Sequence, residues 1–143
     1  MKGRPPYREV EHTADIGFEL EAPDRPSAFE RAALAMFDTI VDIDDVRTDW
    51  SGRVRASGEP GDVENLMVRW LSELLYLHEI ERVVLGSVIV EHLDDRCIEA
   101  VVAGERFDPD RHVRKSELKA ATYHDLVVQE RHGEWSVRVI FDT

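Results

Sequence analysis

Two periodicities divide this chain. Residues 7–11 and 18–21 alternate apolar and polar side chains, which predicts two strands, each with one buried face. Between them lies His12-Thr13-Ala14-Asp15-Ile16-Gly17, a single short carboxylate with little bulk around it, where the first strand hands over to the second. Asp24 then offers an N-cap and Pro26 suits a first helical turn. After it, Phe29, Ala32, Ala33, Met36, Phe37 and Ile40 recur at helical spacing and predict a helix packed on a sheet. Residues 50–57 alternate again and stop at the turn residues Gly58-Glu59-Pro60-Gly61. From Asp62 a second and stronger helix is predicted, with Val63, Leu66, Met67, Trp70, Leu71, Leu74 and Leu75 on the face that packs beside the first. His78 falls near its end, where the helix dipole favours a surface histidine rather than a metal ligand.

Strand periodicity returns at residues 83–92 and 96–105, joined by a turn at Asp94-Asp95 into a hairpin. Residues 106–115 are polar, carry Pro109, and predict a loop. A strand over 119–130, a turn at Gly133 and a last strand over 135–141 complete the chain. Strand, strand, helix, strand, helix and then a run of strands is an α+β order. It predicts one domain over residues 1–143, in two layers, with two helices on one face of a largely antiparallel sheet.

Composition narrows the function classes. A chain of 143 residues, 43% hydrophobic, is long enough for one well-buried core. It has no apolar run near the roughly 20 residues of a membrane helix, and its first residues lack the apolar stretch of a signal peptide, so a cytoplasmic location is expected. The one cysteine, Cys97, has no partner for a disulfide or a thiolate metal site and is expected as a buried thiol. The net charge of -12 argues against a broad phosphate-binding face. Contact with RNA is therefore expected only through a partner protein.

No glycine-rich phosphate loop, nucleophile elbow or cysteine pair is present. His12 with Asp15, and His124 with Asp125, could each join a base to its orienter, yet no motif places a serine or cysteine nucleophile beside them. A hydrolase that uses a metal-bound water stays open. Asp42, Asp44 and Asp45 imitate a calcium loop but lack its central glycine and closing glutamate. The better set contains oxygen donors alone: Asp15 in the first turn, Asp142 at the end of the last strand, and Thr143 with its terminal carboxylate and carbonyl. Hard divalent cations of the Ca²⁺ or Mg²⁺ class take such ligands. The alternatives are an Asx-turn at Asp15 and a solvated tail at Asp142 and Thr143.

Several segments together resemble the archease family: the His-Thr-Ala-Asp-Ile-Gly core, Ala-Met-Phe-Asp at 35–38, Leu-Ser-Glu-Leu-Leu at 71–75, Lys-Ala-Ala-Thr-Tyr-His-Asp at 119–125, and the Asp142 end. The resemblance spans nearly the whole chain. It implies a non-catalytic activator of an RtcB-type RNA ligase in tRNA splicing, one that promotes guanylylation of the ligase, supports multiple turnover and broadens the nucleotide the ligase accepts. The metal site it implies falls on Asp15, Asp142 and Thr143, where threonine departs from the apolar terminus of some relatives. Lys119 matches a position expected to act with the acidic pair at the ligase surface, its alternative being a solvated strand-end lysine. A metal-dependent phosphoester hydrolase and a chaperone-like binding module are the competing classes.

Overall fold

A computed structural model describes residues 1–12 and 15–143; Thr13, Ala14 and the side chains of Glu11 and His12 lie outside the described set. The β1 strand (Arg8–His12) and β2 (Asp15–Ala22) form an antiparallel hairpin in which His12 pairs with Asp15. The α1 helix (Arg25–Ile40) begins as its sequence dictates: Asp24 accepts from the Ser27 N–H at 2.8 Å, and Pro26 occupies the first turn. A short helical turn at Ile43–Asp45 leads to β3 (Trp50–Ser57). The α2 helix (Val63–Glu81) is capped by the Asp62 carboxylate on the Asn65 N–H, and Arg82 leaves it in the left-handed region at φ 59. Then follow β4 (Val83–Leu93), β5 (Cys97–Arg106), β6 (Ala120–Ala121), β7 (Val127–Arg131) and β8 (Glu134–Asp142).

The α+β class, the two helices and the antiparallel pairing all hold, but the strands divide between two sheets. One runs β1-β2-β8 with β6 and β7 both on the far edge of β8; the other runs β3-β5-β4. The α1 helix touches β2 and β8 of the first sheet and β4 of the second. This is why every residue from Ala32 to Val41 is buried, including Leu34 and Ala35 outside the expected stripe. A helix covering one face of a single sheet keeps a wet side; this one is packed from both sides, and its alanines at 28, 32, 33 and 35 permit the close approach. The α2 helix lies beside it, with Trp70 buried and its indole N–H on the Phe29 carbonyl at 3.0 Å.

Two further expectations change. The strand expected over 119–130 is interrupted: β6 ends at Ala121, and Thr122 to Leu126 form a turn in which Asp125 takes φ 50 and the Leu126 N–H reaches the Tyr123 carbonyl at 3.3 Å. His78, expected at the surface, is 9% exposed. The chain doubles back at Arg82 directly into β4, so Nδ1 of His78 donates to the Val83 carbonyl at 2.8 Å. Burial holds its pKa below the usual histidine value, against that hydrogen bond. Cys97 is buried at the start of β5. No helix among the described residues is long and apolar enough to cross a membrane.

Candidate functional site

The ends of three adjacent strands converge at one tip. Ile16 pairs with Phe141, Phe141 with Ala121 and Asp142 with Ala120, so Asp15, one residue before the last β2–β8 pair, and Asp142, one residue after it, fall at the same end of neighbouring strands. Lys119 directly precedes Ala120, and its N–H donates to the Asp142 carbonyl at 2.8 Å. Residues separated by more than a hundred positions are thus neighbours.

Each member is held by something the sequence supplies nearby. Gly17 is two residues from Asp15, and a Cβ there would collide with the Val139 carbonyl oxygen and stand 2.8 Å from Cδ1 of Ile140. Only glycine lets β8 approach closely enough for this register. Phe18 and Phe141 lock the strands from the core side, with ring centroids 5.8 Å apart. Leu118 is buried and Ala120 is paired, so the backbone of Lys119 is fixed on both sides while its side chain is exposed. Asp15 is partly buried and Asp142 is exposed.

Asp15, Asp142 and the Thr143 terminus at this end of the sheet are oxygen donors of the kind that hard divalent cations take. Among the described residues no three His, Cys, Asp or Glu side chains gather into a metal set. The His12 side chain, considered as a partner for Asp15, lies outside the described residues. His124 and Asp125 do meet, Nε2 to Oδ2 at 3.4 Å, with both side chains exposed.

The turn after β6 adds residues that sequence reasoning passed over. Thr122 donates its hydroxyl to the Ile140 carbonyl at 2.8 Å, and the Thr122 N–H binds the same carbonyl at 3.0 Å. Tyr123 is 57% exposed, and its phenol accepts from Nδ2 of Asn65 at 2.7 Å. No local pattern links residue 65 to residue 123.

Away from the tip, two buried charge clusters organise the loops. Asp38, almost fully buried, accepts from Arg4 at 2.9 Å, from the Tyr7 hydroxyl, and from the Ile43 N–H at 3.2 Å. Burial pushes its carboxyl up, and these hydrogen bonds outweigh that and hold its pKa below the ordinary value. Glu105 accepts from the Arg47 N–H at 2.9 Å, from Nε2 of His112 at 2.8 Å and from Arg111. Nδ1 of His112 takes the Asp108 N–H at 2.9 Å, so Nε2 carries the proton. Both clusters pin the loop of residues 107–118 against the helices and strands.

Comparison with known proteins agrees with this architecture. A sequence model of the Archease protein family (MTH1598/TM1083) matches residues 7–143. The chain is 38% identical over 140 residues to the protein archease of Methanosarcina mazei, covering 95% of this chain and 94% of that one. It is 39% identical over 140 residues to the archease of Pyrococcus furiosus, covering 95% and 97%. Among solved structures, the solution structure of Methanobacterium thermoautotrophicum protein 1598 superposes with a TM-score of 0.80 at 33% identity, each chain covered completely. The crystal structure of "an archease, possible chaperone" from Thermotoga maritima has the same fold, with a TM-score of 0.60 at 18% identity and 98% and 97% coverage.

Proposed function

This chain belongs to the archease family, and from that premise we propose that it is an accessory protein that activates an RtcB-type RNA ligase in tRNA splicing. The observation that supports the reading is that the β2, β6 and β8 ends bearing Asp15, Lys119 and Asp142 lie at one end of the sheet, with the Lys119 N–H on the Asp142 carbonyl. Carboxylates and an ammonium group at such an edge suit positioning of charged groups on a partner. The name given to the Thermotoga relative, a possible chaperone, also describes action on another protein.

In this reading the tip docks at the mouth of the ligase active site. Asp15 and Asp142 hold a divalent cation of the Ca²⁺ or Mg²⁺ class, which supplies positive charge for ordering phosphate oxygens. Lys119 adds a fixed positive group beside it, and the sheet keeps the three in register while the ligase histidine is guanylylated. The net charge of -12 suits this division of labour, because the ligase rather than this chain would contact RNA.

The test is guanylylation and multiple-turnover ligation by the cognate ligase, with and without catalytic amounts of wild type or Asp15→Ala. Wild type is expected to raise both rates, and Asp15→Ala to leave the ligase at its unaided rate while melting normally. If the wild type leaves the ligase rate unchanged, or the variant activates as well as the wild type, the reading is wrong. Added Ca²⁺ or Mg²⁺ should raise the melting temperature of the wild type more than that of Asp142→Asn, since an ion at about 100 times its Kd stabilises by about 2.7 kcal/mol. Equal shifts in the two proteins would remove the cation from the tip.

A further inference from the structure

The turn between β6 and β7 carries an exposed aromatic ring whose position is set by the rest of the molecule. Tyr123 is 57% exposed. An exposed tyrosine on a surface turn ordinarily samples several rotamers, but here the Asn65 amide restrains it. The Asn65 carbonyl oxygen accepts from the Glu59 N–H at 2.9 Å, so its amide nitrogen must face outward, and it donates to the Tyr123 phenol at 2.7 Å. Since the phenol oxygen accepts in this bond, its proton stays able to donate outward, to water or to a docked group.

The backbone beneath the ring is equally constrained. Thr122 is bonded to the Ile140 carbonyl through both its N–H and its hydroxyl, and its hydroxyl oxygen also accepts from the His124 N–H at 3.3 Å. Asp125 closes the turn in the left-handed region at φ 50, which aspartate tolerates better than most side chains. Three constraints on one five-residue turn keep an aromatic ring pointing at solvent.

The ring sits beside the acidic tip. Thr122 lies two residues along from Ala120, the partner of Asp142, so Tyr123 is about 10 Å from the tip along the strand direction. Asp125 lies two residues further along the same turn, Asp142 and Asp15 lie towards the tip, and the chain as a whole carries a net charge of -12. Tyrosine is among the residues that dominate binding energy at protein interfaces, because a rigid, amphipathic ring enters a pocket at small entropic cost. We infer that Tyr123, held by Asn65, anchors the docking of the partner ligase by entering an apolar pocket rimmed with cationic side chains, with its hydroxyl donating to a carbonyl there. This rests on the reading of the chain as a ligase activator and adds the surface through which it docks.

The test separates affinity from activation. Ligase rate and direct binding to the cognate ligase are titrated with wild type, Tyr123→Ala, Tyr123→Phe and Asn65→Ala, all checked for unchanged thermal unfolding. The expected result for Tyr123→Ala is a roughly tenfold or larger rise in both the half-activating concentration and the dissociation constant, with the rate at saturation retained. Asn65→Ala and Tyr123→Phe should fall between it and the wild type. If the wild type activates and the Tyr123→Ala titrations superimpose on it, the anchor is wrong and the activator reading stands. If the wild type binds without activating and Tyr123→Ala weakens binding, the surface stands and the activator reading falls. If the wild type does not bind the ligase, both fall. A single-stranded RNA oligonucleotide bound by the wild type and lost in Tyr123→Ala without ligase would make the surface an RNA site and overturn the protein-docking inference.

Discussion

At the scale of single residues, Gly17 does as much for the tip as the acids it positions. Its missing side chain is what admits the Val139 carbonyl and the Ile140 side chain of β8. Gly17→Ala would force the central strands apart at the step before Asp15 and Asp142. The expected cost is about 2 kcal/mol or more, as for overpacking at a backbone contact, read as a lowered urea midpoint with an unchanged m-value. Ligase activation should fall with it, because the carboxylates lose register. A variant as stable and as active as the wild type would show that β8 accommodates the methyl group. Asp15 and Gly17 were both legible in the sequence as a bare carboxylate beside a glycine. Tyr123 and Asn65 were not: each is an ordinary polar-surface residue until the fold places one against the other.

At the scale of elements, the three-stranded sheet has two edges treated in different ways. The β4 edge is closed: Val88 exchanges backbone hydrogen bonds with Met1 at 2.7 and 2.9 Å, the Gly3 N–H reaches the Gly86 carbonyl at 3.0 Å, and Glu30 accepts from the Val90 N–H at 2.9 Å. The β3 edge has no backbone partner among the described residues. Arg53 and Arg55 stand on that strand, ion-paired across the sheet to Glu91 and Glu99. Two copies pairing antiparallel through β3 would oppose arginine to arginine, which is how charged side chains protect an open edge. Arg53→Val with Arg55→Val should change stability by only about 0.5 kcal/mol yet produce concentration-dependent association in light scattering. A strictly monomeric double variant would mean that the edge is protected by other means. That residues 50–57 form an exposed strand was readable from their alternation. That they form an edge was not, because pairing partners are set by the order of strands in space.

At the scale of the whole molecule, Asp38 ties four parts of the chain together: the N-terminal segment through Arg4 and Tyr7, the first helix on which it sits, the turn at Ile43, and the later loop through Lys115, whose Nζ lies 3.9 Å from Oδ1. Its native pKa lies below the ordinary value of 3.8. The unfolded chain therefore binds the proton more readily. The stability this carboxylate contributes is complete above about pH 4, declines as pH falls below that value, and is gone below the depressed native pKa. Asp38→Asn should cost about 3 kcal/mol at pH 7, since it leaves Arg4 and the Tyr7 hydroxyl facing a neutral amide. It should also flatten the loss of stability as pH falls below about 4, which urea unfolding across an acid series would measure. An acid limb parallel to that of the wild type would assign the pH dependence to other carboxylates.

Local order determined most of what the sequence shows by itself. Helix caps at Asp24 and Asp62, the stripes from Phe29 to Ile40 and Val63 to Leu75, and the strand alternations all depend on neighbours within one or two turns, so the α+β class and the two helices follow from them. The motif set further indicated the family and the tip residues Asp15, Asp142 and Lys119. Tertiary structure alone decided that the strands form two sheets with α1 packed between them, that His78 is buried, and that the strand after Lys119 breaks into a constrained turn. Those outcomes depend on which surfaces meet across long chain separations. A one-dimensional pattern records how apolar a residue is, but not what covers it.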